Sequence, residues 1–138
     1  MIDLSKFLSG NWTYRSFLNN PDENADIPSL VFGQGKMVVE NLNIAYGEIN
    51  GYFDFGGGYR LNFKGSASYG NPATIRYQGV GIAGTPTAGW IYDYQAYLVP
   101  AWPNGENQAT ALVGSVIRTA PHGAAKAGLA GSFYAVRQ

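Results

Sequence analysis

Apolar and polar residues alternate with a period of two along most of this chain, in eight runs separated by glycine and proline. The clearest run puts Tyr59, Leu61 and Phe63 on one face and Arg60, Asn62 and Lys64 on the other. That alternation marks a strand with one buried side. Enrichment in β-branched and aromatic residues between breakers extends the reading to the whole chain. Strands are predicted at 11–18, 36–44, 48–55, 59–69, 74–82, 90–99, 109–119 and 132–137, with a short piece before the second at 30–32. The polar loop 19–24 contributes nothing to a core. Gly56-Gly57-Gly58, Asn71-Pro72 and Gly84-Thr85-Pro86-Thr87 turn the chain between strands. Residues 3–8 and 124–127 each predict one helical turn.

Eight strands on short loops predict an all-β fold, an eight-stranded antiparallel up-and-down β-barrel. A parallel sheet needs crossovers of a dozen residues or so, and the loops leave no room for them. The 138 residues form one domain, 1–138. A barrel of this strand number has an interior that is filled by side chains or holds one small ligand.

Charge changes the picture. Only 13% of residues are charged, and nine basic residues balance nine acidic ones. No basic stripe tracks phosphates, so nucleic acid is not expected as a partner. No apolar run reaches the ~18 residues of a membrane helix, and no membrane partner is expected. The N-terminus reads as no secretory leader, which favours the cytoplasm. Without cysteine there is neither a disulfide nor a thiolate metal site. So sparse a surface charge favours self-association, and a homo-oligomer, a dimer or higher, is expected. The seventh strand fits this, being apolar on both sides, with Leu112 and Val116 on one and Val113 and Ile117 on the other. Two-sided burial occurs where another subunit covers a barrel; irregular mixing at the edge of the pattern is the alternative.

The phrases Leu8-Ser9-Gly10-Asn11-Trp12-Thr13 and Gly47-Glu48-Ile49-Asn50-Gly51-Tyr52-Phe53, with Tyr59-Arg60-Leu61 in the next strand, resemble the avidin and streptavidin barrels among the calycins. The resemblance implies a tryptophan plug at one barrel end with a basic side chain packed on it. Arg137 is the candidate partner for Trp12 and Arg118 the second. The same resemblance implies that the biotin site is lost. Tyr14 stands where avidins carry the asparagine that binds the ureido oxygen, and Phe53 replaces the helping tyrosine. Neither the late capping tryptophan nor the last-strand aspartate has a counterpart, in Gly123-Ala124-Ala125-Lys126 and Gly131-Ser132-Phe133 respectively.

The densest aromatic stretch is Trp90-Ile91-Tyr92-Asp93-Tyr94-Gln95-Ala96-Tyr97. Its rings either line a ligand site or pair across strands. An inward Asp93 would need a partner, because an unpaired buried carboxylate is costly, and Arg76 on the neighbouring strand is the candidate. His122, the one histidine, falls in a rim loop, either solvated or a base near Asp93 or a tyrosine. Trp102, between Pro100 and Pro103, is either a lid over the mouth or a ring anchoring its loop.

No serine sits in a nucleophile elbow, and no catalytic residue, metal ligand or cofactor is assigned. The reading is a non-enzymatic small-molecule-binding barrel, avidin-like, whose interior offers Tyr14, Tyr52, Arg76, Tyr92, Asp93 and Tyr94. The alternatives are a barrel enzyme of the cyclase or isomerase kind, resembling the allene oxide cyclases, or a structural self-assembling module. Any of these depends on strand phase, since a slip of one residue reverses every side chain.

Overall fold

Strand phase decides which side chains fill the barrel, and it is read directly from burial. In a computed structural model of the protein, residues 4–43 and 47–138 are described, the side chains at 5 and 41–43 excepted. Ile44, the expected end of the second strand, and Asp3, the start of the expected N-terminal turn, lie outside the described residues. The chain runs α1 (Leu4–Leu8), β1 (Gly10–Leu18), a 3-10 turn (Ile27–Leu30), β2 (Val31–Asn43), β3 (Glu48–Asp54), β4 (Arg60–Ser68), β5 (Thr74–Gly81), β6 (Ile91–Leu98), β7 (Ala111–Arg118) and β8 (Ala130–Arg137). Each strand pairs antiparallel with the next, and β8 returns to β1, so the sheet closes into an up-and-down barrel.

Two details differ from the expectation. The short piece at 30–32 is no separate element: β2 begins at Val31 and runs 13 residues. The stretch 124–127 forms no helical turn, because His122 and Ala125 exchange both backbone hydrogen bonds around Gly123 (φ 56°).

Closure forces neighbouring strands to coil tightly, and two glycines mark where backbones nearly touch. A Cβ on Gly65 would lie 2.0 Å from the Arg76 carbonyl oxygen and 2.5 Å from the Tyr77 Cα. A Cβ on Gly114 would lie 1.9 Å from the Gln95 oxygen. No side chain fits such gaps, which is the use of glycine at barrel corners.

Inside, the barrel has three levels. One end is shut. Leu4, Leu8 and Trp12 are buried there, and the Trp12 indole donates to the Leu8 carbonyl at 2.9 Å. Arg137 pairs with Trp12 in the ladder, but its guanidinium donates through Nε and Nη2 to the Ser9 carbonyl. The expected packing of Arg137 on the indole is replaced by this backbone tie. Arg118, the second candidate, lies at the opposite end over Phe32 and Tyr92.

The middle level is a layer of rings. Tyr14 meets Phe53 edge-on at 4.9 Å and Phe133 at 5.4 Å. Tyr94 stacks on Tyr77 at 4.8 Å and on Phe53 at 5.0 Å. Below them the Tyr77 hydroxyl donates to the Met37 sulfur. Such pairs contribute about 0.5–1.5 kcal/mol each beyond the area they bury. The third level, above the rings, is open.

Replacing Gly65 or Gly114 by alanine must push two strands apart. Each variant is expected to lose about 2 kcal/mol or more of stability. Ser66→Ala, on the exposed outer face, should stay within about 0.5 kcal/mol of the parent. Chemical denaturation midpoints measure all three, and a Gly65→Ala protein as stable as the parent would remove the corner role.

Candidate functional site

Four connections converge on the open end: the β1–β2 loop, the β3–β4 hairpin, the β5–β6 loop and the β7–β8 loop. The last three carry side chains over the mouth, each for a local reason. In the β3–β4 hairpin three glycines take positive φ, and Asp54 accepts the Gly56 N–H at 2.9 Å. The Phe55 N–H bonds the Tyr59 carbonyl at 2.9 Å, which closes the turn and sets both rings at the rim. In the β5–β6 loop Thr87 is wholly buried. Its hydroxyl donates to the Arg60 carbonyl at 2.7 Å and accepts from the Ile82 N–H. Thr85 bonds the Ile82 carbonyl. The folded loop then presents Trp90, whose N–H reaches the Thr87 carbonyl.

Between these connections lies a cavity of about 310 Å³. Tyr14, Leu61 and Tyr94 form its floor, continuous with the ring layer. Phe32, Gly33 and Gln34 from β2, with Phe55, Tyr59 and Trp90, form its walls. Ser16, Tyr92, Arg118 and His122 supply its polar groups. A mainly apolar cleft with a few convergent polar groups is the usual form of a small-molecule site.

The polar groups are connected. Arg118 pairs with Tyr92 across the β6–β7 ladder, so both face inward. Its Nε donates to the Tyr92 hydroxyl at 3.0 Å, and its Nη1 to the Lys126 carbonyl at 3.2 Å. The Tyr92 oxygen lies 2.7 Å from His122 Nε2. Arg118 donates to that oxygen as well, and the tautomer of His122 decides whether phenol or imidazole donates between the two. His122 stacks on Trp90, with centroids 4.1 Å apart and planes 17° from parallel. Burial, and secondarily the Arg118 charge, lower the His122 pKa from its ordinary value. A neutral imidazole is the form that accepts a proton from tyrosine. Burial also pushes the Tyr14, Tyr77 and Tyr94 phenols well above the ordinary range, so the ring layer stays protonated. The trio Arg118–Tyr92–His122 can therefore hold a hydrogen-bonding ligand or relay a proton, while the floor phenols keep their protons.

The sequence-predicted residues divide by phase. Tyr14, Tyr92 and Tyr94 face inward and line the cavity. Tyr52, Arg76 and Asp93 face outward, which corrects their placement inside. Phe53 takes the inward position on β3, so Tyr52 points out, beneath the Arg60 guanidinium 3.9 Å from its ring centroid. Asp93 lies between inward Tyr92 and Tyr94 and must face the other way. It accepts from Gln78 Nε2 at 2.9 Å and from the Thr119 hydroxyl. Arg76 is not its partner, because Arg76 stands opposite Gln95 and is exposed. Trp102 is neither a lid nor a buried anchor. Its loop joins β6 to β7 at the shut end, is tied by the Gln108 side chain, and leaves the ring 68% exposed.

Sequence reasoning missed Arg118 as a site residue and left His122 undecided. The signal for Arg118 was present: it continues the inward phase of Leu112 and Val116 by one more step. No spacing rule brings His122 to Tyr92, since a loop makes that contact. No group of three or more metal-ligating side chains occurs among the described residues, and no helix there is long and apolar enough to cross a membrane. Comparison with family models, with curated proteins and with solved structures gives no match.

The folded state favours neutral His122, so its contribution to stability is full above the unfolded pKa of about 6.5 and is lost as pH falls below that value. By NMR, His122 is expected to titrate with a midpoint below 6.5. Arg118→Gln removes one of the two lowering influences and should raise that midpoint. A wild-type midpoint above 6.5 would contradict the geometry.

Proposed function

We propose that this protein is a small-molecule-binding barrel of avidin-like kind, without the biotin-recognition residues, whose ligand enters the open end and rests on the ring layer. One observation carries the reading: an aromatic-walled cavity of about 310 Å³ ends on a packed floor and gathers Arg118, Tyr92 and His122 at one side. Interiors built only for stability are filled at close-packed density, with few voids larger than a water molecule.

The test is uptake of a neutral fluorescent probe, N-phenyl-1-naphthylamine. Its emission is expected to rise and shift to the blue with wild-type protein. Gly33 offers a way to fill the cavity: a Cβ there meets nothing closer than the Ser16 hydroxyl at 3.4 Å. Gly33→Leu should abolish uptake while circular dichroism and melting stay near those of the parent. Equal uptake by both proteins would place the probe elsewhere and remove the reading.

A second reading, an enzyme of the isomerase or cyclase kind, is favoured by the 2.7 Å Tyr92–His122 contact under the Arg118 charge. It replaces Arg76 and Asp93 in that role. A compound retained by the protein and recovered chemically unchanged would count against it.

Self-association belongs to the same proposal. On the outer face of β5 to β7, Val80, Tyr97 and Ile117 are each about two-fifths exposed. Sedimentation velocity is expected to show a dimer or higher species that Tyr97→Glu with Ile117→Glu shifts toward monomer. A wild-type monomer at every concentration would eliminate the oligomer.

A further inference from the structure

We infer that the cavity at the barrel mouth takes a compact aromatic carboxylate, with the carboxylate on Arg118 and the ring between the rim aromatics. This rests on the small-molecule reading above and adds the class of ligand.

The charge argument comes first. Arg118 carries the single formal charge in the cavity lining, and no aspartate or glutamate lines it. Both acceptors of the guanidinium, the Tyr92 hydroxyl and the Lys126 carbonyl, are neutral. Among the described residues Nη2 has no acceptor. A guanidinium offers parallel N–H donors whose spacing matches the two oxygens of a carboxylate. Those neutral contacts fix its position without cancelling its charge. Phe32 and Tyr92 flank the guanidinium, at 5.3 Å and 5.8 Å from their ring centroids, and hold it against apolar surface where an ion pair is screened less than in bulk water. His122 adds no acidic group that would repel the ligand, and a cationic ligand would find no counter-charge.

The shape argument follows. About 310 Å³ is roughly ten times the liquid volume of a water molecule. That is room for a compact molecule of one to three rings. A long alkyl chain would have to pass the floor, where Tyr94 lies between Tyr77 and Phe53 at 4.8 Å and 5.0 Å. Opening that layer would break several ring contacts at once. The walls are flat faces: Trp90 is backed by the His122 stack, and Phe55 by a near-parallel Phe53 at 5.5 Å. Flat walls suit a flat ligand, since ring pairs gain from offset and edge contacts.

The experiment compares 3-phenylpropionate, 3-phenylpropionamide and 2-phenylethylamine by isothermal titration against the full chain, with decanoate as a long-chain competitor. The three phenyl compounds share one ring and differ in charge. The acid is expected to bind about tenfold or more tightly than the amide, as charged hydrogen bonds predict. The amine should not bind measurably, and decanoate should not displace the acid. Arg118→Gln should bring acid and amide within about twofold of each other while circular dichroism stays that of the parent. Arg118→Lys, which keeps the charge and loses the fork, should fall between. Equal binding of acid and amide, tighter binding of the amine, or displacement by decanoate overturns the inference. The acid–amide comparison needs only the unaltered protein, so a poorly folding Arg118 variant does not shield the idea. Uptake of the neutral probe without acid preference defeats this inference alone. A protein that takes up neither defeats the binding reading as well.

Discussion

The layer of rings across the middle of the barrel is the constraint on which the rest of the structure depends. Tyr14, Phe53, Tyr77, Tyr94 and Phe133 come from β1, β3, β5, β6 and β8, so one contact network ties five of the eight strands together. Burying five large side chains at one level contributes on the order of 10 kcal/mol by transfer arithmetic, before the entropy of ordering them is set against it. The same layer fixes the depth of the cavity. Without it the barrel would be a longer tube, and the polar trio at the mouth would face a different volume.

The two ends of the barrel solve opposite problems. At the shut end, Trp12, Leu8 and the Arg137 tie to the Ser9 carbonyl close the tube with backbone acceptors, and among the described residues no charged group there is buried. At the open end, Ser16, Tyr92 and Arg118 on strands and His122 on a loop carry the polar chemistry, and three of the loops are fixed by a local device: a glycine hairpin, a buried threonine, a two-bond turn at His122. Rigid scaffold below and individually anchored loops above is a common division of labour in binding proteins.

The fold was largely legible because period-two alternation and turn residues are local signals. β4 shows this best, where Leu61 and Phe63 are buried and Arg60, Asn62 and Lys64 are exposed as the pattern requires. Inward Tyr14, Tyr92 and Tyr94 follow from the same rule. The site was legible only in part. Tyr92, Asp93 and Tyr94 were read as one aromatic cluster, although alternation forbids three successive residues to share a face. Arg137 was expected on Trp12, but the Ser9 backbone carbonyl competes for the guanidinium and accepts two charge-assisted hydrogen bonds. The His122–Tyr92 contact depends on how the eleven-residue loop 119–129 folds back, which no periodicity encodes.

The shut end also makes the barrel a cul-de-sac. Trp12 is wholly buried and the ring layer lies above it, so a molecule that enters must leave through the doorway it used. On one side of that doorway Arg118 fastens the β7–β8 loop through the Lys126 carbonyl. A ligand that engages Arg118 would therefore rest on the same side chain that fastens the loop beside it.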